Sequence, residues 1–131
     1  MTALSSNRKG LIKEYKLDIG HVLVNQKYMI AEIKEGVNLT LEKTSQLIGI
    51  SEVHFSNRNF GYITIRNNSY SIDPTLYSHI RDLKNLKAFA IVSTKEIDKH
   101  NYKIEKYFYG KSMKLFKKLE DAVHWINDII D

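Results

Sequence analysis

"LKAFAIVST", residues 86–94, decides the fold. From Ala88 to Val92 no polar side chain interrupts it, the signature of a strand covered on both faces and therefore central in a sheet. The segments on either side read as helices. Upstream, Asp73-Pro74 is a start signal: the carboxylate can accept from first-turn N–H groups, and proline at the first helical position loses no needed donor. That helix runs through Leu76, Ile80 and Leu83. Downstream, Thr94 can cap a helix from about 95 to 108, with Ile97, Ile104 and Phe108 on its apolar face. Lys95, Lys99, Lys103 and Lys106 fall on the opposite side. A strand between two helices implies parallel crossovers.

The same reading extends to the rest of the chain. "KEYKLDIGHVLVNQKYMIAEIKEG" (13–36) reads as two or three short strands with tight turns. Val22 and Val24 alternate with Leu23 and Asn25, and Met29, Ala31 and Ile33 with Ile30, Glu32 and Lys34, as in a strand with one buried face. Thr40 is the expected N-cap of "LEKTSQLIGISEVHF" (41–55), with Leu47, Ile48 and Ile50 inward. Gly49 costs about 1 kcal/mol against alanine and marks a place for that helix to end early. "YITI" (62–65) is a short strand, "SMKLF" (112–116) the last one. "LEDAVHWINDII" closes the chain as an amphipathic helix with Leu119, Ala122, Ile126, Ile129 and Ile130 inward. The expected architecture is α/β: one domain over 13–131, a mixed sheet of about five strands and about four helices, behind a flexible tail at 1–12.

Composition bounds the function. A chain of 131 residues with 43% hydrophobic and 27% charged residues fits one globular domain. Cysteine is absent, which excludes disulfides, thiolate metal sites and a cysteine nucleophile. The opening "MTALSSNRKG" lacks an apolar h-region, and no apolar run reaches the ~20 residues of a membrane span, so a cytoplasmic location is expected. The five histidines (21, 54, 79, 100, 124) form no metal-binding pair, and neither a glycine-rich phosphate loop nor a nucleophile–base pattern is present. No cofactor, no metal and no enzymatic activity are expected.

Four segments in order, "AEIKEGVNLTLE" (31–42), "IRNNSYSIDP" (65–74), "LKAFAIVST" (86–94) and "LEDAVHWI" (119–126), carry a family resemblance. From about residue 13 onward the chain resembles the uncharacterised SpoIIAA-like (STAS/SEC14-like) proteins of Bacteroidetes. The resemblance implies a SpoIIAA-like sheet with helices packed on it and no known catalytic residues. STAS relatives act as anti-sigma antagonists or regulatory modules, and SEC14-like relatives bind lipids. In STAS antagonists a switchable serine lies in a D-S-S-G-like loop between a central strand and a helix. That slot here holds Asn67 and Asn68 in place of the acid, and Ser69-Tyr70-Ser71 in place of Ser-Ser-Gly.

Two candidate sites follow. The first is a binding or switch loop, Arg66, Asn67, Asn68, Ser69, Tyr70 and Ser71. Its arginine and amides could hold an anion, and a phosphate on Ser69 or Ser71 would gain from a helix start. Against this, the same side chains suit a turn that satisfies its own backbone, and the turn is the expected reading. The second site is a basic patch, Lys103, Lys106, Lys111 and Lys114. Residues 103–118 hold six lysines and a single acid, Glu105, with aromatic rings among them. A solvated lysine face explains that run better than nucleic-acid binding, which lacks an accompanying motif. The expected function is a non-enzymatic regulatory or protein-interaction module, its partner another protein or a second copy. The alternative is a small-molecule or lipid-binding module, which requires an apolar cavity in the low hundreds of Å³.

Overall fold

Turns of three residues fold the start of the chain back on itself, so strands β1 (Lys13–Lys16), β2 (Gly20–Val24) and β3 (Tyr28–Ile33) pair antiparallel. The computed structural model of the chain describes residues 10–130. Beyond β3 each strand of the main sheet is reached through a helix, and the pairing becomes parallel: β5 (Phe60–Ile65), β7 (Leu86–Val92) and β8 (Met113–Phe116). The order is β1-β2-β3-β5-β7-β8. The run at 86–92 is interior, flanked by β5 and β8. Strands β4 (Asn38–Leu39) and β6 (Ser71–Ile72) form a separate two-strand parallel ladder. Helices α1 (Leu41–Phe55), α2 (Leu76–Arg81), α3 (Glu96–Tyr109) and α4 (Leu119–Ile129) complete the α/β fold. Most of the expected tail lies outside the described residues; Leu11 packs on the core and the Ile12 N–H donates to the Val24 carbonyl.

Both faces of the sheet are covered, where the alternation in β2 and β3 suggested one. Val22, Val24, Met29, Ala31 and Ile33 pack in the core beneath α1–α3, while Leu23 and Ile30 point into a second core beneath α4. The alternation was real, but both of its phases are apolar, and helices lie on each side to bury them.

Thr40 caps α1 as expected, accepting from the Lys43 N–H at 3.2 Å. The helix passes through Gly49 to Phe55, where the Phe55 ring stacks on Phe60 at 4.6 Å. Tertiary packing of Leu47, Ile50 and Phe55 outweighs the glycine. The Asp73-Pro74 signal works one turn early: Asp73 Oδ1 accepts from the Thr75 N–H at 3.0 Å, and α2 begins at Leu76. Thr94 does not cap α3. Instead Ser93 Oγ accepts from the Lys95 N–H at 3.0 Å and donates to Asp98 Oδ2 at 2.6 Å. Gly110 ends α3 in the left-handed conformation at φ 71°, as a C-terminal cap requires.

Helix α4 lies on β5 and β7, with Ile126 seated over Gly61. Its inward line is Leu119, Ala122, Ile126 and Ile130; Ile129, expected inward, falls off that line and is exposed. Trp125 sits at the edge of this core, its ring 5.5 Å from Phe116. On the other face Tyr77 from α2, Phe89 from β7 and Tyr109 from α3 form an aromatic cluster with centroids 5.4–6.2 Å apart. This cluster fixes the two helices on the sheet.

Candidate functional site

The loop that follows β5 is held at its root by a buried ion pair. The Arg66 N–H extends the β5–β7 ladder by donating to the Val92 carbonyl at 2.9 Å. Its side chain then turns inward toward α3. Nη1 and Nη2 donate to the two carboxylate oxygens of Glu105 at 2.7 and 2.6 Å, and Nε donates to the Tyr70 hydroxyl at 3.1 Å. The Tyr77 hydroxyl donates to Glu105 Oε1 as well, and Thr64 Oγ1 lies 3.1 Å from the Tyr70 hydroxyl. Arg66 and Glu105 side chains are 7% and 5% exposed.

Burial opposes the Arg66 cation, but Tyr70 and the Glu105 carboxylate more than offset it, so its pKa rises well above the usual value. Burial, then the Glu105 charge, pushes the Tyr77 phenol up and keeps it a donor. Each nitrogen of the guanidinium thus donates to a side chain of the protein, a geometry that fixes structure.

The remaining loop residues are tied to residues 32–38. Asn67 Nδ2 donates to Glu32 Oε2 at 2.8 Å and Asn68 Nδ2 to the Ile33 carbonyl at 2.9 Å. The Ser69 N–H donates to Glu35 Oε1 at 2.9 Å, while its carbonyl accepts from the Gly36 N–H at 2.7 Å. Ser71 Oγ donates to Asn38 Oδ1 at 2.9 Å, and its N–H to the Val37 carbonyl. Both serines are exposed. A phosphate on Ser69 would lie close to the Glu35 carboxylate, an unfavourable like-charge neighbour. Helix α2 is too short and begins too far along the chain to receive it.

Helix α3 is turned from its expected orientation. Ile97, Ile104 and Phe108, the expected core face, are 60%, 44% and 40% exposed, and Tyr107 is 82% exposed. The face toward the sheet is Asp98, Tyr102, Glu105 and Tyr109, one residue later at each step. One residue is about 100° of rotation on a helix. The two carboxylates are satisfied, Asp98 by Ser93 and Glu105 by Arg66 and Tyr77, which is why burying them is tolerated. Between the apolar flank of α3 and the 68–74 loop runs a groove of about 360 Å³. Ile97, Asn101 and Ile104 form one wall, Tyr70, Ile72 and Pro74 the other, and the Arg66–Glu105 pair the floor.

The four lysines of the expected basic patch are not brought together. Lys103 and Lys106 are on the outer side of α3, the latter over the Tyr102 ring at 5.6 Å. Lys111 Nζ donates to the Arg81 carbonyl at 2.9 Å, and burial, then Lys87, lowers its pKa. Lys114 alternates with Met113, so it points to the opposite face of the sheet, 5.5 Å from the Phe116 ring. Sequence reasoning missed Glu105, counting it as the odd acid in a lysine run. The available signal was the second stripe itself, two acids and two tyrosines at the same four-three-four spacing as the apolar one. Among the described residues no group of three or more His, Asp or Glu side chains is placed to hold a metal, and no helix is long and apolar enough to cross a membrane.

No family model and no curated protein matches the sequence. Among solved structures the chain is similar to an uncharacterised protein of the DUF3478 family with a SpoIIAA-like fold, from Shewanella loihica PV-4. The two align with a TM-score of 0.55 at 16% identity, over 88% of this chain and 91% of that one. With its mixed sheet, parallel crossovers and four helices, the chain has a SpoIIAA-like α/β fold.

Proposed function

We propose that this chain is a non-enzymatic regulatory or protein-interaction module of STAS type, akin to the Bacteroidetes proteins its motifs resemble, and that it docks partners on α3. The observation that carries the reading is the exposed apolar flank. Of the large hydrophobic side chains exposed among the described residues, half (Ile97, Ile104, Tyr107 and Phe108) lie on this one helix. A contiguous patch of that kind on one element is the usual mark of a docking surface. The polar residues of the neighbouring loop are engaged with residues 32–38, which favours a scaffold over a reacting site.

Lipid binding in the SEC14 sense is less well supported. The apolar space beneath α1, lined by Leu47, Phe60, Tyr62, Ile80 and Phe89, amounts to about 50 Å³. That falls short of the low hundreds of Å³ a lipid needs.

A photo-crosslinking residue placed at Ile104 in cells that naturally make the protein tests the reading. The expected result is an adduct of one discrete mass. The same residue at Val53, also apolar and more exposed but on α1, should give none. Absence of a discrete adduct at Ile104 would contradict the reading.

A further inference from the structure

Resting on that reading, we infer that the groove between α3 and residues 68–72 takes an extended peptide segment of a partner protein, added as a strand along β6. The main chain carries the argument. Ser69 and Ser71 turn their main-chain groups to the β4 side: the Ser69 carbonyl accepts from the Gly36 N–H at 2.7 Å, and the Ser71 N–H donates to the Val37 carbonyl at 2.9 Å. Successive residues of a strand direct their N–H and C=O groups to alternate sides, so those of Tyr70 and Ile72 face away from β4. Among the described residues these four groups have no hydrogen-bond partner. Asn68, Ser69, Tyr70, Ser71 and Ile72 line the groove without a gap. A strand that turned one face to the groove would line it with every second residue, whereas an unbroken run marks an open edge.

The walls fit a single chain. Ile97 and Ile104, both exposed, stand opposite the edge. They are seven residues apart on the helix, about 10 Å along its axis, which three residues of strand would span. Apolar side chains at every second position of the segment would pack on them while its main chain pairs with β6. The charged residues of the lining, Arg66, Lys95, Asp98 and Glu105, balance in sign, so the segment is an uncharged one. The edge is also held ready. The Tyr70 hydroxyl accepts from Arg66 Nε, Asn68 Nδ2 donates to the Ile33 carbonyl and Ser71 Oγ to Asn38 Oδ1, so binding need not first order it. A second copy of the folded chain is a poorer occupant. Its own β6 lies beside its own α3, and the helix stands in the way of edge-to-edge pairing.

The test uses the full chain, labelled with nitrogen-15, and the peptide acetyl-Val-Thr-Ile-Thr-Val-amide, about as long as the open edge. Binding should saturate below ~1 mM. At ~10 times the dissociation constant, exchange of the Tyr70 and Ile72 amide hydrogens should slow at least about 5-fold. The Ser71 amide, already bonded to Val37, should not change. Peptides N-methylated on both threonines, or on the isoleucine and the last valine, separate pairing from packing. One of the two should lose affinity at least about 10-fold and the other keep it, since only alternate N–H groups of an added strand reach β6. Ile104→Glu should weaken binding of the parent peptide at least about 10-fold, with the circular-dichroism melt unchanged.

No saturable binding, equal effects of the two methylation patterns, or unchanged exchange at Tyr70 and Ile72 would overturn the proposal. So would a dimer of the chain alone in which those two amides are protected. Each outcome is separable from the broader reading: a discrete crosslink at Ile104 with unchanged exchange retains the docking surface and rejects only strand addition.

Discussion

Replacing Glu105 by alanine is expected to destabilise the fold by about 3–5 kcal/mol. The carboxylate accepts from both terminal nitrogens of Arg66 and from the Tyr77 hydroxyl, all in a buried setting. Removing it leaves the buried Arg66 cation with only the neutral Tyr70 hydroxyl and deprives the Tyr77 hydroxyl of its acceptor, and a guanidinium does not shed its proton to escape. The cost is thus the penalty for an orphaned charge more than the value of the pair. Arg66→Met with Glu105→Leu removes both charges and should recover at least half of the loss. Urea denaturation monitored by circular dichroism measures both. A loss below about 1 kcal/mol for Glu105→Ala would mean that the pair is not buried as described.

The second large effect is steric. A Cβ built on Gly61 would lie 2.6 and 2.8 Å from the Cγ2 and Cδ1 atoms of Ile126, far inside contact distance. Gly61 sits in β5 and Ile126 is fully buried on α4, so neither has solvent to move into. Gly61→Ala should cost about 1–3 kcal/mol through displacement of α4. Ile126→Ala alone should cost about 2–5 kcal/mol by leaving a cavity. The double variant should be more stable than the sum of the two losses, because the added methyl enters the space the isoleucine vacates. Additive losses in the same denaturation assay would show that the two residues do not meet.

The parts of this fold that lie close together in sequence were legible before any coordinates. The runs at 62–65 and 86–94 were readable as strands from their apolar character, and Thr40 as a helix cap from its local chemistry, whereas the left-handed cap at Gly110 was not anticipated. The rest of what escaped reading depends on partners far away in the chain. The helix at 96–109 carries two stripes one residue apart, Ile97–Ile104–Phe108 and Asp98–Tyr102–Glu105–Tyr109. Hydrophobicity favours the first as the core face. Arg66, 39 residues from Glu105 in sequence, with Tyr77 and Ser93 makes the second one buriable, and no local period reveals that. The β4–β6 ladder, two residues on each side, is likewise too short to leave a pattern. At the loop 66–71 the turn chemistry of asparagine and serine was readable, whereas the partners Glu32, Glu35 and Asn38 were not.

The account rests on the orientation of α3, and hydroxyl-radical footprinting of the unaltered protein, resolved to single residues by mass spectrometry, tests it most directly. Tyr107 and Phe108 should be oxidised at rates near those of the unfolded chain, and Tyr109 and Tyr77 at least about 10-fold more slowly. Protection of Phe108 together with rapid oxidation of Tyr109 would place the apolar stripe in the core and contradict the account.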